Sequence, residues 1–131
     1  MNATNNISNE SMSSVMSKIF RLAWQFVKQN GFTMSEALRT AWANYRFEQA
    51  AKVGIVEFGF LKVDGVTMRQ AFGTICTDLI PQDAISGGER KVNPMTHRVY
   101  WDTEKGAFRC FKRCNLRYVK PNKTAKVKRV A

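Results

Sequence analysis

Arg109, Phe111 and Arg113 alternate along one short segment, the spacing that puts three side chains on one face of a β-strand. Arg98 and Tyr100 stand on a neighbouring segment that can pair with it as a hairpin. Single-stranded nucleic acid is held by flat rings that stack on bases and by cations that meet phosphates, and this pattern supplies both. Lys112 and Arg117 add charge beside it, and the end of the chain, 120–131, adds Lys120, Lys123, Lys126, Lys128 and Arg129 without one acidic residue. That end is too polar to join a core, so it is expected to act as a flexible electrostatic arm that orders on contact. Together these residues form the expected nucleic-acid-binding set.

Other chemistries find less support. His97 is the lone histidine and has no Ser or Cys beside it to suggest a dyad. There is no nucleophile elbow and no H-E-x-x-H, and Gly87-Gly88-Glu89-Arg90-Lys91 has the wrong spacing for a phosphate-binding P-loop. Asp78 and Asp83, or Asp102 and Glu104, are carboxylate pairs of the kind that shape turns. Cys110 and Cys114 lie about 13 Å apart on an extended strand, too far to share one zinc at bond lengths near 2.3 Å. No enzyme, metal site or cofactor is expected.

The charge agrees with a polyanionic partner. The chain of 131 residues carries a formal net charge of +11. Residues 1–16 hold only Glu10, 17–54 hold six basic and two acidic residues, 55–119 hold ten and seven, and 120–131 hold five and none. Such a balance draws nucleic acid before anionic membrane, through a term that ignores sequence. Three cysteines make an odd count, and Met1 to Ser14 lacks the basic and apolar regions of a secretory leader. A reduced intracellular setting without membrane insertion is expected.

The elements that must position these residues are legible from periodicity. Residues 1–16 read as a disordered polar N-terminus. From Ser17 the period is helical, with Ile19, Phe20, Ala23, Trp24, Phe26 and Val27 on one side, and Asn30-Gly31 ends the helix. Thr33-Met34-Ser35-Glu36 is a capping box that starts a second helix, whose apolar face is Ala37, Leu38, Ala41, Trp42 and Tyr45. Residues 17–53 therefore read as an amphipathic helical hairpin. After Gly54 the period becomes two. Ile55 to Val63 and Val66 to Thr74 meet at Asp64-Gly65, a signal for a two-residue type I′ turn. That turn puts Leu61 opposite Met68 and Phe60 opposite Arg69. Ile75 to Ile80 reads as a third strand and Gln82 to Met95 as a loop. Arg98 to Asp102, Ala107 to Cys114 and Leu116 to Val119 complete five or six short strands, which suit a curled barrel better than a flat sheet.

The segment from Val53 to Val119 carries Glu57-Phe58-Gly59-Phe60, Lys62-Val63-Asp64-Gly65, Met68-Arg69-Gln70-Ala71-Phe72-Gly73-Thr74, Tyr100-Trp101-Asp102 and Gly106-Ala107-Phe108-Arg109-Cys110-Phe111. In these motifs it resembles a family of small bacterial and phage proteins with a WYL-like fold, an Sm-like or SH3-type small β-barrel. The resemblance implies an α+β protein, with the helical hairpin at 17–53, the small barrel at 54–119 and the basic tail at 120–131. It also implies a bacterial cytoplasmic setting, as an accessory protein of a phage or mobile element. The expected function is binding of single-stranded DNA or RNA with weak sequence preference. The alternative is a protein-interaction adaptor, or a self-associating module, that uses the helical hairpin or a barrel edge.

Overall fold

Ser11 starts the first helix, its hydroxyl accepting from the Ser14 amide at 3.2 Å. In the computed structural model, which describes residues 11–87 and 91–121, helix α1 spans Met12–Asn30. It begins at Met12 instead of Ser17 because Val15 joins Ile19, Ala23 and Phe26 on the buried face, one turn earlier than the serine-rich composition suggests. Gly31 ends it in the left-handed region at φ 71°, where a side chain would strain the backbone. The capping box of α2 (Met34–Ala51) forms as expected. Glu36 Oε1 accepts from the Thr33 amide at 3.0 Å, and Thr33 Oγ1 accepts from the Glu36 amide at 3.1 Å.

The described chain falls into two compact units that divide after Trp42, inside α2, and not at the 53/54 change of period. In the first unit the apolar stripe of α1 splits. Ile19, Ala23 and Phe26 are buried, while Phe20 and Trp24 are 42% and 50% exposed. The stripe is wider than the face that is covered.

The second unit holds the last turns of α2 and five strands: β1 (Val56–Leu61), β2 (Met68–Thr74), β3 (His97–Asp102), β4 (Ala107–Lys112) and β5 (Leu116–Pro121). They form one antiparallel sheet in the order β4-β3-β2-β1-β5. Its core gathers Phe47, Val56, Phe58, Phe60, Ala71, Tyr100, Phe111 and Leu116. Phe47 packs edge-on to Phe58 and Phe111 at 4.9 and 5.3 Å between ring centres. The Ala51 carbonyl near the end of α2 accepts from the Ile75 amide and the Thr74 hydroxyl, both at 3.1 Å. That joins the helix end to the edge of the core.

The sheet curls where pairing is shortest. β2 meets β3 only at Gly73↔Asp102 and Thr74↔Trp101. A Cβ at Gly73 would stand 2.5 Å from Tyr100 Cδ2 and 2.9 Å from the Trp101 carbonyl oxygen, so the close approach of β2 to β3 depends on glycine here.

The β1–β2 register is the expected one, with Leu61↔Met68 and Phe60↔Arg69. The turn differs. No residue other than glycine has positive φ among those described, which rules out type I′ at Asp64. Instead the Lys62 amide donates to the Thr67 carbonyl and the Gly65 amide to the Lys62 carbonyl, both at 2.8 Å. This longer loop is symmetric about the same centre, so it preserves the register. Asp64 holds it by accepting from the Val66 and Thr67 amides at 2.8 and 2.9 Å and from the Thr67 hydroxyl at 2.6 Å. These bonds, the Thr67 hydroxyl first, lower the Asp64 carboxyl from 3.8 to about 2.

Other expectations are corrected. In place of a strand at Ile75–Ile80 there is a 3-10 turn at Thr77–Leu79, because the chain must leave the sheet beside the helix end. The expected loop at Gln82–Met95 contains a short helix α3 (Gln82–Ser86), with Pro81 at its N-cap. β4 stops at Lys112, and Arg113–Asn115 form a 3-10 turn that leads into β5. Lys120 belongs to β5 and not to the tail. Residues 1–10 and 122–131, with Lys123, Lys126, Lys128 and Arg129, lie outside the described residues.

Candidate nucleic-acid interface

Strand alternation divides β1 to β4 into two faces, and the inward face ends in a groove. Its floor is the rim of the core, Phe60, Tyr100 and Phe111, and its walls are the β1–β2 hairpin and strand β4. The groove has a volume of about 600 Å³. Lys62, Arg69 and Arg109 line it from that face, His97 and Lys112, a pair on the opposite face of β3 and β4, border it, and no carboxylate is among the lining residues. A concave, acid-free surface with several cations focuses positive potential on whatever enters it.

Asp102 organises this site from beneath. It is 1% exposed, and its Oδ1 accepts from the Glu104 and Lys105 amides at 3.0 and 2.9 Å. Its Oδ2 lies 3.8 Å from Arg69 Nη2. One carboxylate therefore shapes the β3–β4 turn and holds Arg69 across from it. The Tyr100 hydroxyl sits in the same region, and burial, followed by the Asp102 charge, pushes it up to about 12.

The sequence-derived set separates into distinct environments. Arg109 lines the groove and Lys112 borders it. Tyr100 and Phe111 lie at its floor but are 1% and 2% exposed. Tyr100 packs edge-on to Phe58 at 4.9 Å, and Phe111 stacks on Phe60 at 5.5 Å. Their ring faces are spent on the core, so they do not offer the stacking platform expected of them. Alternation holds for Arg109 and Phe111, whereas Arg113 has left the strand for the turn before β5, and the ring that the alternation named lies in the core.

Arg98 pairs with Glu48 of α2, and Arg113 lies within reach of the same charge. Arg98 Nη2 donates to Glu48 Oε1 at 3.1 Å, and Arg98 Nε lies 2.7 Å from Oε2. Burial lowers the Arg113 guanidinium from its usual range; Glu48 opposes that, and Arg98 adds to it. The Arg113 carbonyl also accepts from Asn44 Nδ2 at 2.9 Å. Arg117 Nη1 donates to the Cys114 and Leu116 carbonyls at 2.9 and 3.2 Å, tying down the turn before β5. Lys120 stands on the outward face, with Nζ 5.6 Å from the Tyr118 ring centre. Tyr118 donates to Glu57 at 3.3 Å, and burial, then the Glu57 charge, raises its hydroxyl.

Lys62, Arg69 and His97 complete the groove, although none of them belonged to the expected nucleic-acid-binding set. For Arg69 the signal existed, since the register that set it opposite Phe60 also placed it on the inward face. His97 Nδ1 lies 2.8 Å from Thr96 Oγ1. Among the described residues no group of three or more His, Cys, Asp or Glu is placed to hold a metal ion. No helix among them is long and apolar enough to cross a membrane.

Residues 44–117, more than half of the chain, match the model of the WYL_2 family, whose description is an Sm-like SH3 β-barrel fold. The match starts within α2 and runs into β5, so it covers the groove, Glu48 and Asp102. No curated protein and no solved structure matches the chain.

Proposed function

The chain belongs to the WYL_2 family of Sm-like SH3 β-barrel fold, and we propose that the groove of its barrel binds single-stranded nucleic acid with weak sequence preference. The observation that supports this most is the groove itself: four cations, no lining carboxylate and an aromatic floor in one concavity. Cations meet the backbone of any strand, which accounts for weak sequence preference. With Tyr100 and Phe111 buried, phosphate contacts carry more of the affinity than stacking. The basic end of the chain adds to the same electrostatic term. The test is binding of a thymidylate oligomer and its RNA counterpart to the full chain over a range of salt. Affinity should fall steeply as salt rises, with a slope that shrinks by about 0.7 for each phosphate-contacting cation removed. Absence of binding at low salt overturns the reading.

A second reading, a protein-contact role, draws support from α1. Phe20 and Trp24 stand exposed one turn apart, with Met12 exposed toward the start of the helix. Phe47, by contrast, lies in the core. Association that ignores salt and is lost in Trp24→Ala favours this reading over the first.

A further inference from the structure

Buried donors without acceptors are costly, and a native site that retains them has a use for them. Among the described residues the buried side-chain nitrogens and oxygens with no hydrogen-bond partner are Arg69 Nε, Arg98 Nε, Arg113 Nε and the Tyr100 hydroxyl. Two of these lie beside Glu48 and away from the groove, Arg98 forming an ion pair with it and Arg113 feeling its charge. The other two, Arg69 Nε and the Tyr100 hydroxyl, belong to residues that line the groove. Tyr100 is 1% exposed, and Arg69 is its charged neighbour without making a hydrogen bond of ordinary geometry to it. Arg109, paired with Tyr100 across β3 and β4, supplies the second cation.

We propose that Tyr100, Arg69 and Arg109 form a seat for one phosphate group, with the Tyr100 hydroxyl and Arg69 Nε donating to its oxygens and Arg109 balancing its charge. The seat rests on the nucleic-acid reading above and sharpens it, since it names where a strand's phosphate enters the groove. Asp102, the negative group nearby, does not exclude the anion. Its Oδ1 is committed to two backbone amides and its Oδ2 faces Arg69. The hydroxyl is held well above neutral pH in its protonated form, at about 12, so it remains a donor. The same chemistry suits an internal phosphodiester or a terminal phosphate.

The decisive variant is Tyr100→Phe, which removes a hydroxyl that has Arg69 beside it but no hydrogen-bond partner of ordinary geometry among the described residues, and keeps the ring in the core. Its unfolding midpoint should match that of the unaltered chain. Its affinity for a thymidylate oligomer of about ten nucleotides should drop about tenfold, the worth of a hydrogen bond to a charged group. The salt slope should hold, because no charge is lost. Equal affinity of the two proteins overturns the seat while leaving strand binding intact. Tighter binding of the 5′-phosphorylated oligomer assigns the seat to a terminal phosphate, and equal binding assigns it to the backbone. If the unaltered chain binds no strand, the nucleic-acid reading fails and inorganic phosphate tests the seat by itself. Phosphate that raises the unfolding midpoint of the unaltered chain above that in chloride of equal ionic strength, but not that of Tyr100→Phe, supports the seat. No such difference overturns it.

Discussion

Arg98 pairs with a carboxylate brought by a helix and Arg113 feels its charge, whereas Arg69 and Arg109 border a groove whose lining holds none. All four come from the second half of the chain. What separates them is the element opposite. The last turns of α2 deliver Glu48 to the first pair, which makes those arginines part of the scaffold. Among the described residues no carboxylate pairs with Arg109, and Arg69 has the longer, 3.8 Å contact with Asp102. A guanidinium already neutralised within the fold has little left for a ligand; one left short of partners is where a ligand contributes most.

The strongest way to break this contrast is to remove the carboxylate beneath the groove. Asp102→Ala strips two turn amides and Arg69 of their buried partner and should cost about 2–3 kcal/mol in chemical denaturation, with strand binding weakened as Arg69 loses its anchor. Glu48→Gln should cost less, about 1–2 kcal/mol, since Glu48 and Arg98 are partly in solvent. It should leave strand affinity unchanged, and a loss of affinity would mean that the two arginine pairs are not separate. Arg109→Gln is the mirror experiment. Stability should stay within about 0.5 kcal/mol, while affinity falls about fivefold and the salt slope loses about 0.7.

The smallest effect concerns the hairpin that forms one wall of the groove. The Asp64 carboxyl is lowered from 3.8 to about 2 in the folded chain. Its contribution is therefore complete above the unfolded value and is lost as pH falls through the folded one. Because the group is fully exposed, the effect is small. The stability difference between the unaltered chain and Asp64→Asn, measured from about pH 5 down to about pH 2, should shrink toward the acid end.

Local chemistry made much of the fold legible. Thr33 and Glu36 cap each other because the two groups lie within one helical turn. Leu61 faces Met68 because any loop centred on Asp64-Gly65 gives that pairing, and so the register held although the turn type did not. Less of the candidate site could be read. Alternation put Arg109 and Phe111 on one face, and that was right, but it carried no information on what covers each. Phe111 is roofed by Phe47 of α2 and by Phe60, whereas Arg109, at the other end of β4, faces the groove.

By itself the sequence determined the capping box that starts α2, how the first hairpin pairs and that the chain carries an excess of positive charge, since each depends on neighbours within a few residues or on composition alone. Only the tertiary structure decided which arginines are spent on Glu48, that Tyr100 and Phe111 belong to the core, and that Arg69 joins Arg109 in the groove. Those outcomes depend on which distant carboxylate or ring arrives within contact distance. That is a property of how the sheet curls at Gly73 and where α2 lies upon it, and no local pattern encodes it.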